Sequence, residues 1–357
     1  MGLRRGAFSL ALLLGSVNAA CVNLRPPPMP IAANVAGQVP TTVWTRRAGR
    51  RFTAPVQMAD STLYGGSIDR KVYAVSTNSG DVRWSARMPG MIVGGVVLAG
   101  DTIFVASARP QGRVSALRAK DGRQIWRVTT PPIGAPLASI DGQLIAVSER
   151  GEVIALDPRN GKVHWRRGVG VTRIAAVPAG PGTLLLTTTD SLVRLNSDSG
   201  KVLQRAPSPG TILSPWIARD SALIAGTADS QVVSVDPHSL RLNWTLRVDA
   251  PVLDSPAALA DTLFVATRRG TLYRIDPGPG PTLKMIASLD WPITAPPSIV
   301  DREVLLGGAD GVIRAVRTNG REVWRVRVWR PVELSPITLE DGLIALGGNG
   351  DLHRYRQ

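Results

Sequence analysis

The apolar residues of this chain fall in short runs closed off by Gly, Asp, Asn or Pro, and no stretch beyond the amino terminus carries the 3.6-residue period of an amphipathic helix. Such runs predict β-strands, and they recur in a fixed order. An apolar strand such as Thr62-Leu63-Tyr64, Thr102-Ile103-Phe104, Leu144-Ile145-Ala146 or Thr262-Leu263-Phe264 follows a turn bearing Asp60, Asp101, Asp141 or Asp261. Asp220, Asp301 and Asp341 hold the same place in other units. A further turn leads to Val72-Tyr73-Ala74-Val75, Val153-Ile154-Ala155-Leu156 or Leu272-Tyr273-Arg274-Ile275. Dipeptides that favour primed hairpin turns then appear, among them Asp121-Gly122, Asn160-Gly161 and Asn319-Gly320, before a strand carrying tryptophan.

The tryptophans set the period. Trp44, Trp84, Trp126, Trp165, Trp244 and Trp324 lie 40, 42, 39, 79 and 80 residues apart, with Gln204 and Lys284 on the two missing beats. A repeat of about 40 residues built of four short antiparallel strands is the signature of a β-propeller blade. Residues 45–324 make seven such units, and 325–357 supply three strands that stop before any tryptophan. Thr41-Thr42-Val43-Trp44 is an outer strand with no blade before it. The expected fold is therefore an all-β, eight-bladed β-propeller of four-stranded antiparallel blades over 41–357, its ring closed by the amino-terminal strand, which leaves no open seam.

The remaining 40 residues read as an export address. Arg4 and Arg5 precede the apolar run Ala7–Val17, too short to span a bilayer, and the small residues Ala19 and Ala20 follow. Residues 1–20 are thus expected to be a signal peptide. Cys21, the chain's one cysteine, stands directly after them and before the Pro-rich stretch 21–40, an extended tether. The arrangement resembles a bacterial lipoprotein, which implies lipid attachment at Cys21. Such signals normally carry Leu where this chain has Asn18, so ordinary cleavage and a soluble periplasmic protein is the alternative.

Composition narrows the chemistry. With one Cys and three His there is no disulfide framework, and His164, His238 and His353 occupy different positions of the repeat, so no metal-ligand spacing exists. The recurring Asp residues read as turn formers, because an acid–base pair needs one converging geometry. The recurring tryptophans read as packing between blades. The net charge of +15 comes mainly from Arg; Arg46, Arg47, Arg87, Arg127, Arg166, Arg167, Arg247, Arg325 and Arg327 follow the tryptophan beat. Charge on outer strands blocks edge-to-edge aggregation, and it can equally attract an anionic partner. A basic ring in an exported chain, with no single basic groove, disfavours nucleic acid. Trp216, Trp291 and Trp329 fall off the beat, each near a proline, and are expected either at a partner-contact surface or capping the core.

The segment Gly151-Glu-Val-Ile-Ala-Leu-Asp157-Pro-Arg-Asn-Gly161-Lys-Val-His-Trp165 resembles the pyrroloquinoline-quinone-like propeller repeat, and the likeness recurs over 41–357. Two branches of that superfamily are relevant. Quinoprotein dehydrogenases imply a quinone and calcium held by an Asp base, carboxylate and amide ligands, and commonly adjacent cysteines; a single Cys argues against this branch. Signal, Cys21, tether, blade number and closing strand are instead similar to the propeller lipoprotein of the outer-membrane β-barrel assembly machinery (BamB type). That resemblance implies a non-catalytic periplasmic scaffold without cofactor, a monomer within a complex, docking through inter-blade loops onto the central barrel-assembly protein. The corresponding loop is 168–175, with Arg173 as the residue carried over; the acidic pair expected near the next loop is absent from 206–214. The expected partner-binding residues are thus Arg173, Trp216 and Trp329. A quinone-binding oxidoreductase or sensor propeller is the alternative function.

Overall fold

The computed structural model describes residues 39–356 apart from 109–111, 220 and 279. Cys21, the signal and the tether lie outside the described residues, as does Asp220. Eight four-stranded antiparallel sheets make the ring, and no helix occurs among the described residues. Blade 1 comprises Phe52–Ala59, Thr62–Ser67, Lys71–Ser76 and Val82–Arg87, from the innermost strand to the outermost. Blades 2 to 7 repeat the order over 92–130, 138–168, 177–207, 217–247, 257–288 and 298–327. Blade 8 takes Ile337–Leu339, Gly342–Leu346 and Asp351–Arg356 from the carboxy terminus and borrows Thr41–Arg47 as its outer strand, in register from Thr41 opposite Arg356 to Arg47 opposite Asp351. The eight-bladed ring with its amino-terminal closing strand is as the forty-residue period requires.

A single blade has no interior of its own. The core consists of eight clusters of buried apolar residues, one at each blade-to-blade interface. Within blade 5, Leu223 and Ala225 pack toward blade 4, while Ile224 between them packs toward blade 6. Side chains alternate across a strand, so a sheet covered on both faces must be apolar at every position. This is why the middle strands read as continuous apolar runs and not as alternating ones.

The connections between the third and outer strands differ from the primed two-residue turns expected from their dipeptides. In blades 1 to 4 each is a four-residue loop in which the glycine N–H reaches back four residues, as from Gly80 to Ser76 O at 2.8 Å, Gly161 to Asp157 O at 2.8 Å and Gly200 to Asn196 O at 3.0 Å, whereas Gly320 of blade 7 reaches back three, to Arg317 O at 2.8 Å. The glycine is left-handed, with φ of 75° at Gly80 and Gly161, and the pairing register slips by one residue beside this loop in six blades. The Asn and Asp that suggested a primed turn instead accept backbone N–H groups inside the loop, as Asn160 does from Lys162 at 2.8 Å.

Candidate functional site

Antiparallel order places two sets of connections on opposite faces of the ring. The hairpins joining first to second and third to outer strands lie on one face; the hairpins joining second to third strands, and the loops from an outer strand to the next inner strand, lie on the other.

On the first face the tryptophans form a latch between blades. The indole Nε1 donates to a turn carbonyl of the next blade: Trp44 to Thr77 at 3.3 Å, Trp84 to Ala119 at 2.9 Å, Trp126 to Pro158 at 2.9 Å and Trp165 to Ser197 at 2.7 Å. The indole covers the turn glycine so closely that an added Cβ would sit 2.5 Å from Trp84 at Gly122 and 2.6 Å from Trp126 at Gly161. Trp44 belongs to blade 8 and Thr77 to blade 1, so this latch also shuts the ring. Arg354 of blade 8 supports it, bonded to Thr77 O and Asn78 O at 3.3 and 3.2 Å and to both oxygens of Asp341 at 3.0 Å.

Departures from the latch have physical reasons. Gln204 keeps a donor, giving Nε2 to Ser239 O at 2.7 Å, but lacks the indole's bulk. The position that is glycine elsewhere is here Leu240, buried and left-handed at φ 54°, filling the space. Trp324 faces blade 8, whose third and outer strands come from opposite chain ends and so lack the connecting turn. Its Nε1 turns to Glu303 Oε2 of its own blade at 3.1 Å. Trp244 is half-buried beside Pro277 and Gly278.

The other face carries the sequence-derived contact residues. The 168–175 loop leaves Val171 and Arg173 exposed, anchored by buried Thr172 and Ile174, with Thr172 Oγ1 donating to Ile174 O at 3.3 Å. Arg205 of blade 4 ties its start down, donating to Val169 O at 3.1 Å. Trp329 is 70% exposed and left-handed, with the Arg327 guanidinium 5.2 Å from its ring centre. Trp216 behaves otherwise. It is buried, and its indole donates to Thr187 Oγ1 at 2.7 Å, so of its two expected roles the structure assigns it core capping, because it lies between blades 4 and 5. Arg173 and Trp329 therefore stand at separate loops and Trp216 beneath the surface. Sequence reasoning missed Met91 and Leu213, which are also exposed in inter-blade loops. Their signal was an apolar residue next to a loop Gly or Ser.

At the ring axis, Arg51 and Phe52 at the start of blade 1, Gly94 of blade 2, Arg268 of blade 6 and the inter-blade loop residues Asp254, Thr294 and Glu333 line a cavity of about 450 Å³. Its carboxylates are committed: Asp254 lies 3.3 Å from Arg268 and Glu333 3.4 Å from Arg51. Burial pushes the Asp254 carboxyl above its usual range, and Arg268 opposes the shift. Among the described residues no three His, Cys, Asp or Glu side chains cluster to hold a metal. Arginine-tied acids of this kind do not fit a calcium–quinone site, which needs free carboxylate oxygens. The histidines are dispersed: His164 Nδ1 meets Gln143 Oε1 at 3.2 Å, His353 Nδ1 meets Thr45 Oγ1 at 3.2 Å across the seam, and His238 abuts Gly180.

A ring of eight four-stranded blades, closed by its own first strand and latched through tryptophan, defines an eight-bladed β-propeller. The chain belongs to the outer membrane protein assembly factor BamB family, whose model matches residues 38–179 and 149–288. Proteins of that description from Yersinia pestis (24% identical over 253 residues, 63% of this chain) and Escherichia coli K12 (24% over 294 residues, 65% of this chain and 74% of that one) are similar to it. The match spans 61% of the Yersinia protein's length, under two thirds of it. The crystal structure of BamB from Moraxella catarrhalis superposes with a TM-score of 0.74 at 16% identity, over 89% of this chain and all of that one. Quinohemoprotein alcohol dehydrogenase from Comamonas testosteroni shares the fold too, with a TM-score of 0.70 at 13% identity, over 89% of this chain and 76% of that one. Likeness at these identities concerns the fold alone.

Proposed function

We propose that this chain is a non-catalytic scaffold on the periplasmic face of the outer membrane, anchored by a lipid on Cys21 after removal of residues 1–20, that assists assembly of β-barrel proteins by binding partners through its loops and outer strands. The observation that carries the reading is the distribution of exposed apolar side chains. Among the described residues outside the strands, and apart from Val39, they are Met91, Val171, Leu213, Trp291 and Trp329, every one in a loop between blades. Within strands they concentrate on the outermost ones: Val43, Val82, Ile125, Val202, Leu203, Leu242 and Met285. The loops suit docking to a folded partner such as the central barrel-assembly protein, with Arg173 and Val171 forward. The outer strands combine apolar side chains with unpaired backbone groups, which suits pairing with an extended, unfolded strand. Membership of an assembly-factor family supports the same reading. Affinity capture of the full chain from membranes should recover barrel-assembly components, and Arg173→Ala should weaken that recovery; capture of none of them would defeat the proposal. The mass of the mature amino terminus tests the lipid at Cys21.

A further inference from the structure

Three arginines from three different elements converge on one pocket between blades 1 and 2. Arg70 comes from the turn joining the second and third strands of blade 1, Arg87 from the end of its outer strand, and Arg127 from the outer strand of blade 2. The pocket holds about 290 Å³ and is completed by Met88, Pro89, Ser115 and Gln124, with no carboxylate in its lining. Among the described residues none of the three guanidiniums makes an ion pair or a hydrogen bond.

Other described arginines are held by acids. Arg46 pairs with Asp81, Arg166 with Glu152 and Arg325 with Glu322. In the adjoining cleft at the ring seam, Arg47 is held by Asp351 and Arg51 by Glu333. The acid nearest in sequence to the pocket, Asp69, is occupied: it accepts the Tyr73 hydroxyl at 2.6 Å and the Lys71 N–H at 3.3 Å. Three like charges around one small concavity repel one another, and a bound anion removes that repulsion. A planar carboxylate satisfies one guanidinium fork, whereas a tetrahedral oxyanion offers oxygens in several directions and can engage forks arriving from separate strands.

We infer that this pocket is a binding site for a phosphate group, with Arg70, Arg87 and Arg127 as the forked donors and the Ser115 hydroxyl and Gln124 amide as neutral ones. The flanking Met88 and Pro89 give the ester's carbon side an apolar rest. Arg173, the residue put forward for docking, sits two blades away, so the two sites can be tested by separate substitutions.

The test uses the full chain and two probes: inorganic phosphate by titration calorimetry, and co-sedimentation with phosphatidylcholine vesicles with or without phosphatidylglycerol. Arg70→Ala/Arg87→Ala/Arg127→Ala is compared with a control of equal net charge, Arg241→Ala/Arg247→Ala/Arg317→Ala, both first shown to retain the parental unfolding midpoint. The site triple should weaken binding about tenfold or more while the control leaves it close to parental. Binding of phosphate alone supports a soluble phosphoryl ligand, and binding of phosphatidylglycerol vesicles supports a lipid headgroup as the source. Equal losses in both triples would reduce the effect to bulk charge and overturn the site. Silence of both probes, with loss of a captured protein partner instead, would assign the arginines to protein carboxylates and overturn it likewise.

Discussion

The exchange of Trp–Gly for Gln–Leu between blades 4 and 5 can be reversed by mutation, and the outcome is quantitative. At the regular interfaces the turn glycine has no room for a Cβ because an indole lies on it; at this one Leu240 exists because position 204 carries no indole. Gln204→Trp alone should overpack the site and cost about 1–3 kcal/mol. Leu240→Gly alone removes a buried side chain, worth about 2–4 kcal/mol, less about 1 kcal/mol recovered by relieving its left-handed backbone. Independent effects would sum to a loss of about 2–6 kcal/mol. The double variant instead rebuilds the arrangement seen at Trp126–Gly161, so it should recover to near parental stability, a favourable coupling of at least about 2 kcal/mol. Urea unfolding of the four proteins at constant m-value measures this, with amide exchange over 236–241 reporting the turn itself. Additivity within about 0.5 kcal/mol would refute the reasoning, because it would mean that the two positions do not share one volume.

Trp44→Ala should cost about 3–5 kcal/mol and, unlike Trp84→Ala, should raise amide exchange selectively over 41–47, since the latch it breaks is the one that holds the ring shut. Burial pushes the pKa of His353 below its ordinary value, with Asp351 opposing only in part. The unfolded chain therefore takes up a proton near pH 6.5 before the folded one does, so stability is full above about pH 6.5 and declines as the pH falls below it. His353→Asn should flatten that part of a stability profile, and an unchanged slope would show that another group sets it. Trp216→Ala should lower stability by about 3–5 kcal/mol through a buried cavity and the lost bond to Thr187, while Trp329→Ala should stay within about 0.5 kcal/mol, both read by thermal unfolding. Addition of pyrroloquinoline quinone and calcium to the purified chain should give no bound chromophore; retention of one after gel filtration would revive the dehydrogenase branch.

Blade number, strand order and closure by Thr41–Arg47 were legible in the chain because each repeat must present the same side chains to its two neighbours, and that demand prints a period of about forty residues. The tryptophan beat marked the inter-blade contacts for the same reason. Three features could not be read this way. The indole partner is a backbone carbonyl, which carries no sequence signature. Leu240 answers Gln204 from 36 positions away, so each residue looks like an unremarkable exception until the turn of one blade is laid on the strand of another. Trp216 and Trp329 look alike locally, each near a proline; only the packed ring decides that one lies between blades 4 and 5 and the other in solvent. Repetition along the chain dictates architecture, because a ring of equal units has one way to bury its faces. Which side chains remain on the outside, and which charges meet in one pocket, depends on how neighbouring blades are juxtaposed in space, a relation that the linear order does not hold.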